Sequence, residues 1–439
     1  MTSVDTIITA RWVIPVEPDD GYLDHHSIAI DKGLIVALGA SNDIAGHYRA
    51  DVNIDLADHA IIPGLVNTHT HCAMSLFRGM ADDLPLNTWL TEHIWPTEMK
   101  WASPEFVQDG SRLAIAEMLK GGTTCFADMY FFPDVVAAVA EAANIRACIG
   151  LIMIDMPTAW AQNAEQYLEK GIALHDQVRH SPWVSTLFAP HAPYTVSDAN
   201  LERIRTLADE LDIPIQMHVH ETAREIDESV AQHGCRPLER IERLGLITPR
   251  LLAVHMTQLL DNEIQSLAEH GVTVVHCPES NLKLASGFCP VNQLMQQNVN
   301  VTLGTDGAAS NNDLDMLAEM RCAALLAKGV SADPTAVPAH TALRMATLNG
   351  AQALGLGEQI GSLVPGKAAD LTAVNLSGLA TQPLYDPVSQ LVYSASRDQV
   401  SDVFVGGVHV IKNHQLMTMD EVEILASVQD WAEKIKSGF

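Results

Sequence analysis

The sequence predicts an α/β fold: a (β/α)8 TIM barrel carrying a small discontinuous β-sandwich domain formed by both chain ends. Three observations predict it. Eight short β-rich runs alternate with longer helical segments over about 300 residues, which suits a closed parallel barrel better than a doubly wound sheet. Histidine or aspartate recurs where those runs end. Both chain ends read as strands with Gly-rich turns, without helical periodicity.

Residues 1–60 contain DTIITARWVIPV, DHHSIAIDKGLIVALG and ADVNIDLADHAIIP, alternating runs broken by Gly and Asp turns. Alone they are too few to be stable. The barrel is assigned to 61–362. Its first strand, AIIPGLVNTHTH, leads into a long loop with Trp89, Trp95, Glu98 and Trp101. These tryptophans either line an apolar pocket or pack the loop, and packing is expected for at least two. A helix (EFVQDGSRLAIAEMLKGG) and strand TTCFADM follow; then PDVVAAVAEAAN and RACIGLIMI, AEQYLEKGIALHDQVR and VSTLFAPHA, NLERIRTLADELD and IPIQMHVHE. Strands LLAVHMT, VTVVHCPES and NVTLGTDG complete the eight, and two further helical segments close the unit. Residues 363–439 return to strands (GSLVPGKAADLTAVNL, VSDVFVGGVHVIKN) that are expected to rejoin 1–60, and end in an amphipathic helix.

At 439 residues and 47% hydrophobic content the chain can bury a large core. A net charge of -28, from 26 basic against 54 acidic residues, argues against nucleic acid and against an anionic membrane surface. Seven scattered cysteines without a C-x-x-C pair suit a reducing compartment, and Cys72 and Cys277, although near strand ends, read as buried thiols. The first residues show no signal-peptide pattern, and no stretch reaches the roughly 20 apolar residues of a membrane helix. The protein is expected to be cytoplasmic.

In a barrel of this kind the C-terminal strand ends form the site-bearing mouth. His69 and His71 end strand one, His191 follows strand four, His218 and His220 end strand five, His255 ends strand six and Asp306 ends strand eight. Period two puts His69 and His71 on one strand face, and likewise His218 and His220, so either of the latter pair is a candidate ligand. Three histidines and an aspartate, His69, His71, His218 and Asp306, offer the N and O donors that zinc accepts, with room for a water whose pKa such a metal lowers to about 7. Glu221, just past strand five, could carry a proton between that water and a leaving group.

PGLVNTHTH, HVHET, AVHMT and GTDGAASNN, with the trailing GSLVPGKAADL, together resemble the amidohydrolase superfamily and, within it, the methylthioadenosine/S-adenosylhomocysteine deaminases, over essentially the whole chain. The resemblance implies that His69, His71, His218 and Asp306 hold one divalent metal, zinc or alternatively iron. It implies that Glu221 protonates purine N1 as activated water attacks C6, and that His255 and Asp306 orient and deprotonate this water before ammonia leaves. Glu98 in WPTEMKW and His191 in APHAPYT match positions that hold the ribose, and Glu221 and Asp306 also touch the substrate. Ser310 and Asn311 serve either the base or a plain turn.

One departure bears on specificity. Relatives that handle the amino-acid tail of S-adenosylhomocysteine carry an arginine after strand three, where this sequence has Leu151; Arg146 begins that strand, at its wrong end. A carboxylate lacking its planar donor binds poorly. 5'-Methylthioadenosine is therefore the expected substrate, with S-adenosylhomocysteine and adenosine secondary. The alternatives are guanine, 8-oxoguanine or other aminoheterocycle deaminases, and chlorotriazine-type hydrolases, which can lose part of the acid/base set complete here. An inert metal-binding scaffold is the non-enzyme alternative. The bridging lysine of binuclear relatives is missing from strand four (FAPHAPY). The expected partner is a small purine nucleoside; a homo-oligomer is compatible with this class.

Overall fold

The structure is a computed structural model and describes residues 1–18 and 21–438. Strands β1 (Thr2–Val13), β2 (Leu23–Asp31), β3 (Leu34–Ala40) and β4 (Tyr48–Pro63) build the first half of a sheet. The chain then enters the barrel at once: β5 (Leu65–Thr70), β6 (Thr123–Asp128), β7 (Arg146–Met153), β8 (Val184–Pro190), β9 (Ile215–Val219), β10 (Leu251–His255), β11 (Thr273–His276) and β12 (Asn300–Leu303). These eight neighbour one another in chain order, all parallel. Helices cover them outside, so β5, β6 and β7 are buried at every position.

Side chains close the seam between β5 and β12. Asn67 Nδ2 donates to Thr305 Oγ1 (2.8 Å), Thr305 N–H donates back to Asn67 Oδ1 (3.0 Å), and Thr68 Oγ1 donates to the Leu303 carbonyl (2.8 Å). Asp306 N–H reaches the His69 carbonyl at 3.0 Å. Gly304 permits this approach, since a Cβ there would lie 2.8 Å from His69 Cβ. The closure thus brings strand one's histidines against strand eight's aspartate.

Strands β13 (Leu371–Asn375), β14 (Val400–Val405), β15 (Val408–Lys412) and β16 (Gln415–Leu416) complete the other sheet. Its order is β16-β15-β14-β13-β4-β1-β2-β3, joined where Leu371–Asn375 pairs antiparallel with His59–Pro63. One apolar cluster mixes Ile8, Ile28, Ile30 and Ile61 with Leu371 and Phe404, so each end supplies burial that the other lacks. Arg146, at the start of β7, ties the barrel to this sheet through a buried ion pair with Asp370 (2.8 Å). The terminal helix Glu421–Ser437, capped by Asp420, packs instead on the barrel helix Pro104–Lys120: Trp431 donates to Asp109 (2.9 Å) and sets its ring edge to face against Phe106 and Trp101. Among the described residues no helix is long and apolar enough to cross a membrane.

Candidate metal centre and active site

Four side chains converge at the C-terminal mouth of the barrel. The ligand atoms of His69, His71, His218 and Asp306 all lie within 4.8 Å of one another. His69 Nε2 stands 3.0 Å from His218 Nε2 and 3.5 Å from Asp306 Oδ1, which is 3.2 Å from His71 Nε2. Bonds of about 2.0 Å to a tetrahedral zinc would space its ligands by roughly 3.3 Å, so the spacing suits such an ion.

The outward ring nitrogens are as informative. His69 Nδ1 faces Gln216 Oε1 (2.9 Å), His71 Nδ1 the Met129 carbonyl (2.5 Å) and His218 Nδ1 the His191 carbonyl (2.8 Å). Each of these oxygens only accepts, so each Nδ1 carries the proton and each Nε2 presents a lone pair inward. Three lone pairs and a carboxylate pointing at one buried spot need a cation between them. The residues fit a single divalent metal.

Asp306 is held for this role. It sits at φ 62, Oδ1 accepts from Gly307 N–H (2.8 Å), and Oδ2 accepts from the hydroxyls of Ser280 and Ser310 (2.7 Å each). Ser310 thus grips the aspartate, whereas Asn311 faces away and braces the loop through the Thr305 carbonyl (2.9 Å). Burial pushes His69 and His218 down; in His71 the hydrogen bond and charge of Asp306 outweigh burial and raise it to about 9. The centre attracts one positive charge even as a proton.

A cavity of about 410 Å³ opens above the cluster and is lined by Glu98, His191, Glu221 and His255 as well as by His71, His218 and Asp306. Glu221 is 7% exposed. Burial first, then the charge of Asp306, raises its carboxyl to about 8, against a weaker opposing bond from Ser286. Burial thus favours its protonated form. His255 Nε2 lies 3.8 Å from Glu221 Oε2, and its Nδ1 is bonded to Asn281 Oδ1 at 2.9 Å.

Glu98 is not on a loop. It belongs to the short helix Trp95–Trp101, entered through a π-helical turn at Trp89–Ile94, and burial raises it to about 7 against the neighbouring Tyr130 and His71. The carbonyl of His191 orients His218 while its ring faces the cavity; burial and the nearby histidines push that ring down to about 3, so it is neutral.

Other expectations are corrected. Of the two histidines ending strand five only His218 joins the cluster. His220 lies past the strand at φ 56, and its Nε2 accepts from Leu238 N–H at 3.0 Å, so the period-two rule no longer applies to it. Trp89 and Trp95 both line the cavity and Trp101 alone among the three packs elsewhere, against the terminal helix. Leu151 faces outward against the helix residue Gly171; the cavity-lining residues of that strand end are Ile152 and Ile154, then Met156. Cys72 and Cys277 are buried free thiols outside the cluster. Gln216 and Asn281 were missed. Gln216 stands two residues before His218 on the same strand, so its periodicity was a usable signal; nothing local marks Asn281.

A barrel whose mouth gathers a divalent-metal ligand set, a protonated carboxyl and a neutral histidine around one cavity is that of a metal-dependent hydrolase. A sequence model of the Amidohydrolase family matches residues 60–410, and the chain belongs to that family. The chain is 48% identical to a 5-methylthioadenosine/S-adenosylhomocysteine deaminase of Teredinibacter turnerae, covering 99% of this chain and 98% of the relative. It superposes on the crystal structure of an adenosine deaminase from Xanthomonas campestris with bound zinc at a TM-score of 0.98, with 53% identity and 99% of each chain covered. The atrazine chlorohydrolase of Arthrobacter aurescens TC1, complexed with zinc, shares the fold at a TM-score of 0.89 and 24% identity, covering 97% of this chain and 100% of that one.

Proposed function

We propose that the protein is a metal-dependent deaminase that converts 5'-methylthioadenosine, and less efficiently S-adenosylhomocysteine or adenosine, with water to the inosine analogue and ammonia. One observation carries this reading. The buried carboxyl of Glu221 and the ligand set face each other within a cavity whose outer wall is apolar (Trp89, Trp95, Ile152, Ile154 and Met156) and whose described lining includes no lysine or arginine. Such a wall suits a methylthio group and leaves the carboxylate of a homocysteine tail without a cationic partner. The relatives' printed activity supports the same class.

His69, His71, His218 and Asp306 would hold a zinc ion, which would supply a water activated at neutral pH. Glu221 gives its proton to N1 of the purine, which makes C6 electrophilic. His255 Nε2 and Asp306 orient the attacking water and accept one of its protons, which passes to the departing amino group; as ammonia leaves, the C6 hydroxyl returns its proton to Glu221 and becomes the carbonyl. Glu98 and His191 hold the ribose, the carboxylate accepting from both hydroxyls of the diol. Seven unpaired cysteines, six of them buried, fit a reducing compartment, and we assign the enzyme to the cytoplasm.

The test is ammonia release from the zinc-loaded protein with 5'-methylthioadenosine, S-adenosylhomocysteine, adenosine, guanine and 8-oxoguanine at matched concentrations. 5'-Methylthioadenosine is expected to lead; a free base in first place would refute the reading of the pocket. Glu98→Ala removes a charge-assisted acceptor worth about 1.5–3 kcal/mol and is expected to raise KM for nucleosides roughly 10- to 100-fold, with little effect on free bases.

The pH profile follows from the same two carboxyls. Ribose recognition needs ionised Glu98, so kcat/KM rises with pH through about 7; catalysis needs protonated Glu221, so it falls through about 8. A bound dication draws both limbs to lower pH. Glu98→Gln is expected to abolish the acid limb and leave the alkaline one.

A further inference from the structure

Asn281 lies outside the cavity lining, yet it makes the closest side-chain contact of His255. It sits in the helical turn Pro278–Lys283 just after β11 and is 1% exposed. Its Oδ1 faces His255 Nδ1 at 2.9 Å, while its Nδ2 has no partner. An acceptor opposite Nδ1 selects the ring protonated there, which leaves the lone pair on Nε2. That nitrogen faces the cavity. The preceding residue, Ser280, donates to Asp306 Oδ2 at 2.7 Å. One turn outside the cavity therefore grips both groups assigned to the attacking water.

We propose that Asn281 is a positioning residue for the deamination, holding His255 as the Nδ1–H tautomer with its Nε2 lone pair aimed at the water. The inference rests on the assignment of His255 as a proton acceptor. The opposite tautomer would present N–H at Nε2 and could accept nothing. Loss of Asn281 should therefore lower kcat, whereas zinc and nucleoside, held by other residues, should bind as before.

The experiment compares zinc-loaded Asn281→Leu, Asn281→Asp, His255→Ala and the Asn281→Leu/His255→Ala double variant by kcat, by zinc content and by calorimetric Kd for the product 5'-methylthioinosine. Asn281→Leu is expected to lose roughly 10- to 100-fold in kcat, as removing such supporting partners typically does, with zinc content and Kd unchanged. Asn281→Asp keeps the acceptor and exchanges only the unpartnered nitrogen, so it should retain most of the kcat. Asn281→Leu should cost nothing further on top of His255→Ala. The positioning role is overturned, with the reading of His255 intact, if Asn281→Asp fails as badly as Asn281→Leu, if the double variant falls below His255→Ala, or if Asn281→Leu loses zinc. Parent-like kcat in His255→Ala overturns both.

Discussion

Glu221→Gln is expected to lower turnover about 10³- to 10⁴-fold with zinc still bound. Glutamine keeps the volume and can still accept from Ser286, but it has no acidic proton for the purine ring. The chemistry depends on that proton because purine N1 must gain charge before C6 accepts a nucleophile, and the site presents it in advance: at 7% exposure the carboxyl is raised to about 8, mainly by burial. Elemental analysis and single-turnover ammonia release measure the two halves of the expectation. Parent-like turnover in metal-replete Glu221→Gln would remove Glu221 from the mechanism.

Stripping the metal with a chelator is expected to abolish activity, and added zinc to restore it. Without the cation, the lone pairs of His69 and His218 face each other in a buried space beside His71 and the Asp306 carboxylate, with two nitrogens 3.0 Å apart. Folded-state affinity also contributes stability: about 2.7 kcal/mol at zinc a hundredfold above Kd, lost on chelation as a fall of a few degrees in Tm. The sign of the pH effect is set by His71. Asp306 outweighs burial and raises that ring to about 9, so at neutral pH the stripped protein carries a proton that zinc must displace. Apparent zinc affinity should therefore weaken by about tenfold for each unit that pH falls below about 9. His218→Ala, which removes one ligand, should lose zinc and activity together. Full activity in a protein shown to hold no metal would overturn the metal's role.

Much of the barrel was legible because its strands are short, apolar-rich segments that alternate with longer helical ones. His69, His71, His218 and Asp306 were legible for a related reason: each lies in or just past the end of a strand, and the barrel topology sends every strand's C-terminal end to one mouth. Where the strand stops, the reading weakens. His220 and Leu151 show the two ways in which it fails. His220 has left the ladder, so period two does not apply to it, and the parity of Leu151 on β7 needs neighbouring strands to define which face is inward.

By itself, the sequence determined the alternation of strands and helices, the ligand types and their places at strand ends, and the place of Glu221 just past strand five, all carried by short-range periodicity and residue chemistry. Tertiary structure alone decided the rest. Asn281 meets His255, and Trp95 turns into the cavity while Trp101 meets the terminal helix. Each is a contact between segments far apart in the chain, and its energy appears only when the closed barrel has buried both partners together, so no local pattern encodes it.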